Sequence, residues 1–216
     1  MLNHHKIAVI GGTGKSGKYL VRQLLSQGQA VKLLVRDTKK FQLENPLIEL
    51  VQGDARDYAA VHSLVRGCQA VISTLGQPKG ETRPIFSQAT THTLRAMGAC
   101  GVKRYILTTG LNVDTPLDKK GTRTSAATEW MRSNYAATTA DKQEEWKILT
   151  ASEADWTLVR LPLIELTDTS GAIATSLEDC PGEKISATDL ARFLTGQLSE
   201  GPFLRNSPFL ANLSGL

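Results

Sequence analysis

The chain has 216 residues, of which 41% are hydrophobic and 21% are charged, enough for one well-buried domain and short for two. No run approaches the ~20 apolar residues that cross a bilayer, and a predicted strand begins by Lys6, which leaves no room for a signal peptide, so we expect no membrane partner. The net charge of +4 comes from scattered basic residues, so we expect no nucleic-acid partner. Three distant cysteines without metal-ligand spacing favour a reducing cytoplasm, no disulfide framework and no metal site.

The first predicted elements are a strand over Lys6–Ile10 and a helix over Gly14–Ser26, joined by a glycine-rich turn. The turn contains Gly-Lys-Ser, as an ATP-binding P-loop does, but the glycine that such a loop needs five positions earlier is replaced by Val9. Three glycines spaced three residues apart instead predict a dinucleotide turn that holds a pyrophosphate at a helix N-terminus. The alternative is a glycine-rich turn without a ligand. The predicted cofactor contacts in this turn are Gly11, Thr13, Gly14, Lys15, Ser16 and Gly17.

The second predicted strand, Ala30–Val35, ends where a dinucleotide fold meets the adenosine ribose. The next residue is Arg36, whose planar guanidinium can pair with a 2′-phosphate through two N–H groups. We therefore predict NADP as the cofactor rather than NAD. The alternative is a solvated arginine, with Asp37 binding the ribose hydroxyls.

The third predicted strand, Ile48–Val51, is followed by an acidic turn and a helix over Tyr58–Val65. We predict that Asp54 accepts a hydrogen bond from the adenine amino group, while the backbone N–H of Ala55 reaches the ring. The alternative is that this aspartate caps the following helix.

The fourth and fifth predicted strands are Ala70–Ser73 and Arg104–Leu107, with a helix over Ile85–Met97 between them. Small residues follow the fourth strand and let a cofactor ribose lie against the backbone. Hydroxyl side chains follow the fifth strand, where the nicotinamide is expected. The predicted contacts are Thr74, Leu75, Gly76, Thr108 and Thr109.

The C-terminal half continues the alternation of strands and helices, with two long stretches read as loops. The predicted elements are helices over Thr128–Tyr135, Thr138–Thr150 and Thr188–Leu198, a strand over Trp156–Val159, and loops over Gly110–Arg123 and Leu161–Lys184. Ser186 and Asp189 are spaced as at a helix start. The second loop, residues 161–184, is long for a connector, which makes it the candidate substrate loop.

This alternation predicts an α/β fold: a Rossmann-type, doubly wound parallel sheet in a single domain over residues 1–216, with a small C-terminal substrate-loop region. Ligands of such sheets bind beyond the carboxyl ends of the strands.

The motifs "VRD", "GDARD", "VISTLG" and "RYILTTG", together with the glycine turn, resemble the short-chain dehydrogenase/reductase superfamily. The chain is most similar to its atypical NmrA-like and biliverdin/flavin-reductase-like members. The segments "ADKQEEWKILTASEADWTLVRLP" and "ISATDLARFL" resemble their sixth strand with its following proline and their last helix. The resemblance covers nearly the whole chain, implies an NAD(P) cofactor, and adds Pro162 to the cofactor contacts.

Typical members of the superfamily carry a Tyr-x-x-x-Lys pair and a serine, and the lysine lowers the pKa of the tyrosine. Here Lys142 stands at the lysine position, but Thr138 replaces the tyrosine and Tyr135 is off the spacing. The serine position falls on Thr109 or Gly110. The candidate catalytic residues are thus Thr109, Thr138 and Lys142. The missing tyrosine argues against standard alcohol–ketone chemistry, while biliverdin/flavin-reductase-like relatives do without it.

The sequence therefore predicts an NADPH-dependent reductase of a small, planar flavin-, quinone- or bilin-like acceptor, held by Thr109, Asn112, Pro162 and the following loop. One alternative is a non-catalytic NADP(H)-sensing protein. Another is an epimerase- or dehydratase-like enzyme acting on a nucleotide sugar, which the short chain disfavours. A homo-oligomer stays open.

Overall fold

The computed structural model describes residues 6–77, 80, 83–199 and 201–213. The strands are β1 (Lys6–Ile10), β2 (Val31–Val35), β3 (Ile48–Gln52), β4 (Cys68–Ser73), β5 (Arg104–Gly110), β6 (Asp155–Leu161), β7 (Leu163–Glu165), β8 (Ile173–Ser176), β9 (Lys184–Ser186) and β10 (Phe209–Asn212). The helices are α1 (Gly17–Ser26), α2 (Tyr58–Val65), α3 (Phe86–Cys100), α4 (Thr122–Asn134), α5 (Ala136–Thr150) and α6 (Ala187–Gly196), and a 3-10 turn spans Thr38–Lys40.

Eight strands form the central sheet in the order β3-β2-β1-β4-β5-β6-β10-β8. Neighbouring strands pair in parallel except β8, which runs antiparallel to β10. The chain therefore has the predicted doubly wound fold, and its direction of winding switches between β1 and β4. The carboxyl ends of these central strands lie side by side, since Ile10 pairs with Ser73. This edge of the sheet is where ligands bind in such folds.

Helices cover both faces of the sheet because its strands are apolar on both sides. One face packs against α2, α3 and α5, with Leu64, Met97 and Leu149 in its core. The other face packs against α1 and α6, through Leu24 and Leu194. Among the described residues, no helix combines the length and the apolar character needed to cross a membrane.

The structure corrects several predicted boundaries. Helix α1 begins at Gly17 rather than Gly14, because the glycine turn extends to Ser16. Helix α4 begins at Thr122 instead of Thr128; its buried side chains, Thr124 and Thr128, are polar, so no apolar period marks its first turns.

The predicted loop over residues 161–184 is not a plain loop, because it contains β7 and β8. The final strand, β10, was not predicted at all. Strands β8 and β10 are four residues each and pair with one another across the chain, so neither carries a clear local signal.

Candidate active site

The glycine turn between β1 and α1 lies directly against the end of β4. Gly11 has a φ of +79°, and a Cβ atom there would lie 2.7 Å from the carbonyl carbon and oxygen of Thr74. A Cβ atom on Gly17 would lie 2.1 Å from the carbonyl oxygen of Gly11, so α1 starts in contact with the turn. The N–H of Gly14 donates to that same oxygen at 2.9 Å. The turn therefore has the close backbone packing that the sequence predicted, and α1 begins directly beside it.

Gly12 was not part of the predicted spacing, yet it is as constrained as its neighbours. A Cβ atom at this position would lie 2.4 Å from Cδ1 of Leu33 on β2. The double glycine thus seats the turn on β1, β2 and β4 together. The adjacent glycines Gly11 and Gly12 are visible in the sequence, but Gly12 is not one of the three glycines that the spacing pattern uses.

A groove of about 1010 Å³ lies between α1, the turn and the residues after β2. It contains two predicted cofactor residues, Thr13 and the exposed Arg36. The carboxylate of Asp37 accepts a hydrogen bond from the N–H of Lys39 at 3.0 Å and caps the 3-10 turn. Other lining residues were not predicted as site residues: α1 contributes Lys18, Tyr19, Val21 and Arg22, and the segment after β2 contributes Phe41, Gln42 and Leu43.

The turn after β3 brings Asp54 close to Arg36. Asp54 accepts hydrogen bonds from the backbone N–H of Arg56 at 2.9 Å and from its Nε at 3.0 Å. The hydrogen bond from Arg56 lowers the pKa of Asp54, and the charge of Arg36 acts in the same direction. The residue that caps α2 is Asp57, not Asp54. Ala55 is buried in the core beside them. Binding of adenine by Asp54 and Ala55 stays a prediction.

Three buried polar atoms at or just beyond the ends of β4 and β5 have no hydrogen-bond partner among the described residues: Thr74 Oγ1, Thr109 Oγ1 and Asn112 Oδ1. Buried polar groups are rarely left unpaired in a folded protein, because losing water without a partner costs free energy. These atoms therefore suit a polar ligand that lies across the strand ends. Thr74 is followed by the partly buried Leu75 and the exposed Gly76, whose contact with the cofactor ribose stays a prediction.

The amide of Asn112 and the amine of Lys142 converge on Gly110. A Cβ atom on Gly110 would lie 2.3 Å from Asn112 Oδ1 and 3.4 Å from Lys142 Nζ. Asn112 is held in this orientation because its Nδ2 donates to Thr139 Oγ1 at 2.8 Å. Burial lowers the pKa of Lys142, and the carboxyl group of Glu145 opposes that shift.

Thr138, the residue at the tyrosine position, is directed elsewhere. Its hydroxyl donates to Gln77 Oε1 at 2.6 Å, in the segment after β4. Tyr135 is half exposed and contacts the ring of Trp130 at 5.7 Å between centroids. The structure thus brings Lys142 to the residue after Thr109, while Thr138 contacts Gln77. Thr108 is partly buried on the same strand.

Helix α5 is anchored beside the site by Asp141. Its carboxylate accepts hydrogen bonds from the backbone N–H groups of Ile85, Phe86 and Ser87, at 2.7, 2.9 and 3.2 Å, and so caps the start of α3. This fixes the position of Lys142, whose Nζ lies 5.1 Å from the centroid of the Phe86 ring. This contact was not predictable from the sequence, because the two helices are far apart in the chain.

The segment after β5 is held by the buried Arg160 and the partly buried Lys120. Arg160 on β6 is fully buried and donates to Asp118 Oδ1 at 2.5 Å. Lys120 donates to Asp114 Oδ1 at 2.7 Å and to the carbonyl of Leu111 at 2.9 Å. These contacts order the segment that carries Asn112.

Segment 161–184 contacts both α1 and α6, the latter through the N–H of Gly171, which donates to Asp189 Oδ2 at 2.9 Å. The segment includes the partly buried Pro162 and β7, which pairs with β9. Asp168 forms an ion pair with Arg22 of the groove at 2.9 Å. At the start of α6, Ser186 Oγ accepts from the N–H of Asp189 at 3.0 Å, as its spacing predicted.

Comparison with known proteins places these features in a family. A family model described as NAD(P)H-binding matches residues 11–201. A short-chain dehydrogenase/reductase from Veillonella parvula DSM 2008, solved in complex with NADP, superposes with a TM-score of 0.80 at 14% identity, covering 96% of this chain and 94% of that one. An anaerobilin reductase from Escherichia coli O157:H7 superposes with a TM-score of 0.77 at 19% identity, covering 98% and 100%.

A ceramide reductase from Caulobacter vibrioides is 30% identical over 166 residues, which are 73% of this chain and 46% of that protein. The chain spans less than half the length of the curated relatives that it matches. The resemblance inferred from the motifs is confirmed, and so is a nicotinamide dinucleotide as cofactor. The chain belongs to the NAD(P)H-binding family and has the fold of the short-chain dehydrogenases/reductases.

Proposed function

We propose that this protein is an NADPH-dependent reductase of a small, planar, electron-poor acceptor. The observation that carries the proposal is the set of unpaired polar atoms of Thr74, Thr109 and Asn112 at the carboxyl ends of β4 and β5, the edge of the sheet where such folds bind ligands, with Lys142 near Asn112. When bound, the cofactor supplies the hydride.

The preference for NADPH over NADH rests on Arg36. It is exposed at the groove directly after β2, while the carboxylate of Asp37 caps the neighbouring turn. A guanidinium in this place binds a 2′-phosphate through two N–H groups, whereas a carboxylate would repel it. Asp54 and Ala55 are proposed to bind the adenine.

In this proposal the chain binds, orients and excludes water. The amine of Lys142 donates to the nicotinamide ribose, and the Thr109 hydroxyl and the Asn112 amide orient the nicotinamide or the acceptor. Segment 161–184, from Pro162 onwards, covers the acceptor as its substrate loop. A dry, pre-organised site of this kind contributes most by fixing the distance and the angle of transfer.

The proposed acceptor class follows from the replacement of the usual tyrosine by Thr138. Thr138 is a poor acid at neutral pH, and its hydroxyl donates to Gln77. An acceptor that needs a proton from the protein at the moment of hydride transfer is therefore disfavoured. A conjugated ring spreads the added charge, and the bilin substrate named for the structurally similar anaerobilin reductase supports this class.

The test is to mix pure protein with NADPH and a panel of flavins, quinones and bilins, and to follow the loss of reduced-nicotinamide absorbance. Turnover with one acceptor class, abolished in Lys142→Met, supports the proposal. Tight binding of NADPH without turnover across the panel contradicts it and favours the second candidate, a non-catalytic NADP(H) sensor. The contact of Thr138 with Gln77 is the observation that keeps this candidate open.

A further inference from the structure

Three buried polar side chains, Glu145, Thr90 and Tyr105, lie between α5, α3 and β5 next to the candidate nicotinamide site. Lys142 Nζ lies beside Gly110, and Glu145 follows one turn further along α5, on the same side of the helix. Glu145 Oε1 accepts a hydrogen bond from Thr90 Oγ1 at 2.7 Å. The Thr90 oxygen lies 3.2 Å from the hydroxyl of Tyr105. The proposed reduction does not use Glu145, Thr90 or Tyr105.

Burial of the Glu145 carboxyl group costs the folded state free energy. Its side chain is buried, and Oε2 has no hydrogen-bond partner among the described residues. Burial raises the pKa of Glu145 to about 7, and the hydrogen bond from Thr90 and the charge of Lys142 oppose this shift. An apolar side chain of the same size would pack here without that cost, so packing does not explain the carboxyl group.

Glu145 is also the carboxyl group best placed to respond to Lys142. The other facing carboxylate, Asp141, is engaged by the N–H groups that start α3. The Tyr105 hydroxyl approaches from β5, and burial raises its pKa. Charge on Lys142 is therefore supported mainly by the ionised form of Glu145, because burial acts against a charged amine.

We propose that Glu145 is a positioning residue: its carboxyl group sets the charge of the Lys142 amine and, through it, how tightly the site holds the nicotinamide end of the cofactor. This inference rests on the proposed role of Lys142 as a donor to the cofactor. At low pH the amine is protonated whether or not Glu145 is ionised. As the pH rises through about 7, Glu145 loses its proton and its negative charge keeps the amine protonated.

The experiment measures the Kd of NADPH by calorimetry between about pH 6 and about pH 9, for the wild type, Glu145→Gln and Glu144→Gln. Glutamine keeps the size of the side chain and can still accept from Thr90. Glu144 is the matched control, because it immediately precedes Glu145 on α5 and is exposed. Among the described residues it forms an ion pair only with Lys147, at 3.2 Å. We expect equal affinity near pH 6, and Glu145→Gln about tenfold weaker near pH 9, the size of one charged hydrogen bond. Glu144→Gln should follow the wild type throughout.

A loss of affinity in Glu145→Gln that is the same at every pH would mean a structural role and would overturn the inference, as would profiles that superimpose. If Glu145→Gln does not fold, carbon-13 NMR of the side-chain carboxyl groups tests the same coupling. Lys142→Met should then raise the pKa of Glu145, and an unchanged titration refutes the pairing. Neither measurement contains an acceptor, so absence of turnover would contradict the reductase proposal alone.

Discussion

Reversal of the charge at Arg36 should weaken the binding of NADPH and leave the binding of NADH nearly unchanged. Arg36 stands exposed at the mouth of the groove after β2, and its charge already acts on the carboxyl group of Asp54. One charged hydrogen bond to a 2′-phosphate contributes about 1.5–3 kcal/mol, and a glutamate in the same place adds about 1 kcal/mol of repulsion in water-like surroundings. Arg36→Glu should therefore weaken NADPH binding roughly 100-fold.

NADH has a hydroxyl in place of that phosphate, so its Kd should change by no more than about twofold. Calorimetric titration of both reduced cofactors measures the ratio directly. Arg66→Glu is the matched control, because Arg66 is an exposed arginine at the C-terminus of α2, before β4 begins and away from the groove. Equal losses of NADPH and NADH affinity in Arg36→Glu would refute the assignment of the phosphate to this guanidinium.

Gly17→Ala should destabilise the fold by about 1–3 kcal/mol and weaken the binding of both cofactors, because the new Cβ would lie 2.1 Å from the Gly11 oxygen. The control is Gly98→Ala, at a helical site with open space, which should be neutral or stabilising in the same thermal melts. A neutral Gly17→Ala would contradict the close packing of the turn. Asp141→Ala should cost about 2 kcal/mol in urea unfolding, since three N–H groups at the start of α3 lose their acceptor, and an unchanged midpoint would argue against the cap. Burial raises the pKa of Glu145 from 4.5 to about 7, so the folded state holds the proton more tightly, and stability should fall as pH rises between these values, by about 3 kcal/mol in all. Glu145→Gln should remove that slope in unfolding measured across this range, and an unchanged slope would assign it to other groups.

The sequence predicted those parts of the fold and site whose signal is local. The glycine turn is visible in part because Gly17 must lack a side chain to pack against the Gly11 oxygen, a contact within seven residues of chain; the close contact of Gly11 itself is with Thr74, which is distant in the chain. The capping of α6 by Ser186 is equally local. The end of β4 at Ser73 followed from an apolar run that stops at hydroxyl residues, whereas β5 continues past the predicted end at Leu107 to Gly110.

Contacts between distant segments were not predictable in this way. Nothing near Thr138 in the chain indicates that its hydroxyl donates to Gln77, and nothing near Asp141 indicates that it caps α3. Arg160 interrupts an apolar strand, and its burial depends on Asp118, 42 residues earlier. Strand β10 exists because β6 and β8 offer it partners on both sides. These features depend on tertiary packing, which a reading of periodicity and spacing does not include.

The most direct measurement is a calorimetric titration of the wild-type protein with NADPH and with NADP. The unpaired polar atoms of Thr74, Thr109 and Asn112 and the backbone turn at Gly11 predict one saturable site per chain, with a Kd on the order of micromolar. Absence of a binding heat for both the reduced and the oxidised cofactor at millimolar concentration would contradict the account.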